Sequence, residues 1–251
     1  MENLNETKQG FDFKQFIEDS KAVLLNPKEY FLGMSVSGGF TGPVIKVLIY
    51  GAIIGIINYI WFLTGLGIGS GVSWLGGGVG IMALFGSIIF SVIGLFIGGV
   101  IMLVISAILS GNTDYEANVR VVAALMVISV VQSLFGFLNG INLYLSAIVN
   151  VVFSLWGLYI TYYALTLSLK AGEKGAKILL IIFAVIVVIT SFSGIAARKA
   201  LQDFSGSSDI ENMSVEEQQK AALEMVEKMT DGQVKAEDMQ KLIDENKNEE
   251  E

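Results

Sequence analysis

The sequence predicts an all-α fold: a polytopic membrane bundle of five transmembrane helices, with an N-terminal amphipathic helix and a small acidic helical tail. Three observations carry this. The chain is 53% hydrophobic and 16% charged, with a mean hydropathy of +0.63, more apolar surface than a soluble domain of 251 residues can bury. Its apolar residues come in runs of about twenty or more, enough to cross a hydrocarbon core about 30 Å thick at ~1.5 Å rise per residue. Finally, between Lys46 and Lys170 the only acids or bases are Asp114, Glu116 and Arg120. One charged helix mouth therefore stands in a long uncharged region.

Composition narrows the chemistry. With Cys 0 and His 0, the chain has no disulfides, thiolate nucleophiles, Cys/His metal sites or imidazole acid–base catalysis. No catalytic residue, cofactor or metal ligand is expected. The net charge of −8 is unevenly placed: residues 1–195 balance nine acids against nine bases, so the whole excess lies in the tail. An acidic, solvated tail is a poor ligand for nucleic acid, which is not an expected partner.

The elements follow in order. Residues 1–42 read as an N-terminal interfacial region. Over residues 11–25, Phe13, Phe16, Ile17 and Leu24 share a helical face apart from Asp12, Lys14, Glu18 and Lys21. Such a helix can lie on the membrane surface or pack on the bundle itself. Asn26-Pro27 breaks it; Asn can cap the next short helix, Pro27 to Met34, Pro fits its first position, and Glu29 sits near its positive end. A Ser/Gly-rich link, 35–42, leads to the membrane domain, 43–196.

The first span is expected over 43–63, with Trp61 near an interface. Residues 65–80 hold eight glycines and no Lys or Arg, which predicts a loop with Trp74 dipping into the interface. The second span covers 81–109, long enough to tilt, and Ser110 to Asn112 turns the chain. The third covers 114–135 and opens with a capping box, Thr113 and Glu116, with Arg120 one turn beyond the acid. Residues 136–142 break it. The fourth span covers 143–169, the basic loop 170–177 follows, and the fifth covers 178–196. Residues 197–251 form the acidic tail, where a second capping box at Ser214 and Glu217 predicts a helix to Met229, followed by a shorter helix over 236–245 and a disordered end.

Five spans put the two ends of the chain on opposite sides. Lys8, Lys14, Lys21, Lys28, Lys46, Arg120, Lys170, Lys174 and Lys177 flank one side, which predicts a cytoplasmic N-terminus and a C-terminus opposite; Arg198 and Lys199 run against the rule.

The order of several short motifs resembles the Yip family, membrane proteins named for interaction with Ypt/Rab small GTPases, in its short bacterial-type form. They are Leu24-Leu-Asn-Pro-Lys-Glu-Tyr-Phe31, Gly38-Gly39, Gly111-Asn-Thr-Asp-Tyr115, Arg120-Val-Val, Leu155-Trp-Gly-Leu-Tyr159 and Lys174-Gly-Ala-Lys177. Together they cover residues 20–196. The resemblance implies five spans, a cytoplasmic N-terminus and an inner-membrane location. Where the family often has a Tyr and a Pro after the Arg, this chain has Ala123, Ala124 and a Pro-free run, so a mechanism that needs a kink there is not carried over. The long N-terminal region of eukaryotic relatives is missing, so Rab binding is not carried over.

Two sets of residues invite a functional reading. Asp114, Glu116 and Arg120 form either a gate at the helix mouth or a capped start with a local salt bridge. Asn58, Gln132 and Asn150 form either a polar site inside the bundle or ordinary interhelical bonds. Gly51-xxx-Gly55 and Gly94-xxx-Gly98 predict close helix approach within the bundle. A membrane-organising or adaptor protein ranks first, with the lipid bilayer and a protein bound through the tail as partners. A small-solute or ion transporter is the alternative, weakened by the lack of internal repeats. An intramembrane enzyme comes last.

Overall fold

The computed structural model describes residues 12–66 and 78–206, with Leu223 and Glu227. The elements are α1 (Phe13–Leu25), α2 (Pro27–Gly33), α3 (Thr41–Leu63), α4 (Gly78–Ile108), α5 (Tyr115–Leu125), α6 (Val127–Leu134), α7 (Leu138–Ile141), α8 (Leu143–Tyr163) with a π-helical turn over Ala164–Ser168, and α9 (Glu173–Gly206). Among the described residues, five helices are long and apolar enough to cross a membrane: Thr41–Leu63, Ile81–Ile108, Tyr115–Ile141, Leu143–Ser168 and Glu173–Ser191. Of the predicted glycine loop 65–80, residues 67–77 with Trp74 lie outside the described residues, and 78–80 already belong to α4; the predicted tail helices, apart from helical Leu223 and Glu227, also lie outside the described residues.

The first two spans pack through small residues. A Cβ on Gly51 or Gly55 of α3 would run into Ser91 or Ser87 of α4, and into Ile88 Cα at 3.2 Å or Leu84 O at 3.0 Å. Those serines donate across the contact, Ser87 Oγ to Gly51 O at 3.0 Å and Ser91 Oγ to Val47 O at 3.3 Å. The second glycine pair is split in use: Gly98 meets Val122 of α5, whereas Gly94 faces open space. Large apolar side chains on the outer faces of α4 and α9, such as Met82, Phe90, Ile97 and Ile181, are exposed, as lipid contact requires.

The amphipathic helix packs on the bundle. Asp12 caps α1 through Lys14 N at 2.9 Å and Gln15 N at 3.1 Å. Phe16 and Val23 are buried in the main core beside Tyr50, Val127 and Ile128, while Phe13 and Ile17 remain exposed. The predicted apolar stripe is therefore shared between the bundle and the outside. In α2, Pro27 takes the first position, but the Asn26 side chain makes no capping bond; its carbonyl accepts from Tyr30 N at 3.1 Å instead.

Three boundaries differ from expectation. The third span is not one unbroken helix: it is interrupted at Met126 without any proline, where Ser129 N reaches Met126 O at 3.0 Å, one residue short of the α-helical partner. The cause is tertiary. Six residues of α5 are buried, α6 turns Val127 and Ile128 into the core, and one straight helix cannot serve both faces. The second difference is that the fifth helix starts at Glu173 and continues to Gly206, with no break at residue 197. Third, the fourth span ends in a π turn in which Leu169 N bonds Ala164 O at 3.1 Å.

Candidate functional site

The charged mouth forms where α5 meets the link between α2 and α3. Its helix start is capped by Asp114, whose Oδ1 accepts from Glu116 N at 2.8 Å, so the expected Thr113 box is not the one formed. An Asp directly before the first helical residue presents its carboxylate to the same free amides, and Asn112 Oδ1 steadies it by accepting from Asp114 N at 2.8 Å. This releases the Glu116 side chain from capping.

Glu116 and Arg120, one turn apart, both turn toward residues 35–39. The Arg120 guanidinium donates from Nε to Ser35 O and from Nη1 to Gly39 O, each at 3.0 Å. Glu116 Oε1 accepts from Gly39 N at 2.7 Å and lies 3.9 Å from Arg120 Nη1. The link can offer both its carbonyls and its N–H here because Gly38 and Gly39 hold φ of +125° and +82°, which L side chains rarely adopt. A Cβ on Gly38 would stand 3.3 Å from Arg120 Nη1. The two side chains thus form a latch, a cation on two carbonyls and an anion on one amide, with both groups about three-quarters buried. Asp114 stands apart from it as a cap.

Beneath the latch, two loops are locked together. Asn112 N donates to Leu169 O at 2.6 Å and Gly172 N to Leu109 O at 2.9 Å; Ser110 and Lys170 take left-handed φ of 56° to allow it. Asn118 is fully buried, and its amide nitrogen holds Asp114 O at 2.7 Å and Asn112 O at 3.1 Å. Ser106 Oγ adds a bond to Asn112 O at 2.8 Å.

A second anchor holds the α1–α2 hairpin. Lys46 Nζ lies 2.6 Å from Asp19 Oδ2, and Ser20 Oγ 2.7 Å from Tyr50 Oη. Buried Ser168, in the π turn, donates to Phe31 O at 2.7 Å. Burial pushes the Tyr30 phenol well above its ordinary range, and the nearby Asp19 carboxylate pushes it the same way.

The intramembrane amides do not converge. Asn58 is exposed on the outside of α3. Gln132 Nε2 reaches Ser154 Oγ at 3.5 Å, and Asn150 bonds within its own helix to Ser146 O at 2.9 Å. Sequence reasoning passed over Asn139 as part of a loop, yet it is buried: it accepts from Ser146 Oγ at 2.8 Å and donates to Gly136 O at 2.8 Å. It also passed over Asp19 and Ser168, and took Gly39 only as part of the Gly38-Gly39 motif. Only the Asp19–Lys46 charge complementarity left a signal in the sequence. Among the described residues no group of three or more acids could hold a metal ion.

Comparison with known proteins agrees with this architecture. Nothing matches among curated proteins, and nothing among solved structures. The family model of the Yip1 domain matches residues 21–195, which include the last five residues of α1, all of α2 and the latch, and end in α9. This multi-pass chain belongs to the Yip1-domain family.

Proposed function

We propose that this protein is a membrane-organising or adaptor protein of Yip type with no catalytic activity of its own, its N-terminus cytoplasmic and its acidic tail the arm that holds a protein partner. The observation that carries this reading is the latch. Glu116 and Arg120, the residues best placed to act as a gate, are engaged by the backbone of Ser35 and Gly39 and by each other. A gate needs a charge free to meet a solute. The dispersal of Asn58, Gln132 and Asn150 supports the same reading, since a transport site needs its polar groups to converge. The α1–α2 hairpin adds an organising surface: Phe13, Ile17, Leu25 and Leu32 are exposed on a unit that is itself fixed to the bundle.

Affinity purification of the full-length protein and of a form lacking residues 205–251, paired with liposome flux for both, tests the reading. The adaptor reading expects no flux and at least one partner lost with the tail. Sustained, saturable flux by the truncated protein would overturn it.

A further inference from the structure

One cluster belongs neither to the latch nor to the core. In the last turns of α8, Tyr159 and Tyr163 meet edge to face one turn apart, ring centroids 5.1 Å apart at 90°, with their hydroxyls 3.2 Å from each other. Tyr162 stands edge-on to Tyr163 at 5.5 Å, and Lys177 of α9 sits over the Tyr162 ring at 5.7 Å. On the other flank, α2, which opens with Pro27 and Lys28, packs against α8 and its π turn. The α2 backbone is fixed there by the Ser168–Phe31 bond. A row results: lysine, two touching phenols, a third phenol, lysine.

Two features of this row point to a ligand. Both lysines are exposed and, like Lys21, Lys170 and Lys174, have no acid within ion-pair distance among the described residues; what sets Lys177 apart is the Tyr162 ring beneath it. The row's tyrosines also lie within the last ten residues of the fourth span, Leu143–Ser168, toward the end that Lys170, Lys174 and Lys177 follow; tyrosines near such an end place an apolar ring in the chain region and turn a hydroxyl toward the polar layer. Two neighbouring hydroxyls between two unpaired ammonium groups match a phosphodiester, which offers several acceptor oxygens and one negative charge.

We propose that Lys28, Tyr159, Tyr163, Tyr162 and Lys177 form a binding site for the headgroup of an anionic phospholipid, seated between α2, α8 and α9. The lysines supply attraction, and the hydroxyls of Tyr159 and Tyr163 fix the phosphate. Occupancy would tie the α1–α2 hairpin and the fifth span to the same lipid.

Native mass spectrometry of the full-length protein, released from micelles doped with phosphatidylglycerol or phosphatidylcholine, tests the site. Retention of phosphatidylglycerol should exceed that of phosphatidylcholine about tenfold, and the pair K28Q/K177Q should abolish the preference. Y159F/Y163F keeps the rings and both charges and should still lose several-fold; K170Q/K174Q, on the same end of the bundle, should change nothing. Unfolding temperatures in detergent confirm that each variant is folded, and a variant that fails to fold is replaced by its single substitutions. Equal retention of the two lipids by the unmodified protein would overturn the proposal, as would full preference in K28Q/K177Q or an equal loss in K170Q/K174Q. Displacement of the lipid by millimolar inorganic phosphate would make the ligand a soluble anion and overturn it too.

Discussion

Replacing Arg120 by Leu is the perturbation that most clearly separates a latch from a local salt bridge. The guanidinium makes two bonds of 3.0 Å to carbonyls more than eighty residues away in sequence, whereas its contact with Glu116 is a loose 3.9 Å. A hydrogen bond involving a charged group contributes roughly 1.5–3 kcal/mol, and the bond to Ser35 O is exposed and falls at or below the low end of that range. The loss of both, with the Glu116 carboxylate left about three-quarters buried beside Gly39, costs about 3 kcal/mol. Glu116→Gln keeps an oxygen for Gly39 N and gives up only the distant charge pair, at about 0.5–1 kcal/mol. The difference of about 2 kcal/mol corresponds to roughly a 30-fold change in how often the 35–39 link is open. Since the chain has Cys 0, a single Val36→Cys reports on that opening, because Val36 packs half-buried against the core. Thiol labelling should accelerate by tens of fold with Arg120→Leu and only a few fold with Glu116→Gln, with the same order in thermal stability in detergent. Equal labelling in the two backgrounds would refute the latch, because a helix-local pair predicts equal loss from either side.

Further expectations follow from particular contacts. Gly38→Ala should destabilise by about 1–3 kcal/mol in thermal unfolding, since the site combines a φ of +125° with the Arg120 guanidinium at 3.3 Å. Gly111→Ala should loosen both locked loops at a cost of about 1–3 kcal/mol, because its Cβ would meet Leu169 O at 2.8 Å and Ala171 Cα at 3.0 Å; hydrogen exchange at Asn112 and Gly172 reads it. Tyr30 keeps its proton to higher pH in the folded protein than in the unfolded chain, so its contribution is full below about pH 10 and is lost as pH rises beyond it; Tyr30→Phe should flatten the alkaline limb of stability between about pH 10 and 12. Gly55→Leu should separate α3 from α4, and an engineered disulfide between them should then fail to form.

The five spans were legible because length and hydropathy decide them locally, and so was the α3–α4 contact, which needs only small residues at a spacing of four. The latch was not. Its residues stood out as the lone charges, but their partners are backbone groups 77 to 85 positions away, which no local spacing encodes. The capping residue was misplaced by one because Thr113 and Asp114 are both competent caps, and the turn held by Asn112 selects the second. The interruption at Met126 had no sequence mark, since no proline stands there and it accompanies the packing of α6 against α3, α1 and α8. The amphipathic stripe of α1 was read correctly as a stripe, but Val23, absent from that reading, is buried more deeply than any of its expected members.

The most direct test of the central claim, that the charged mouth is a structural latch and no gate, is ion and small-solute flux in liposomes measured on folded Glu116→Gln beside the unmodified protein. Background flux is expected in both, with the variant changed only in stability and in the opening of the 35–39 link. Saturable flux in the unmodified protein that disappears in a folded, normally labelled Glu116→Gln would contradict it.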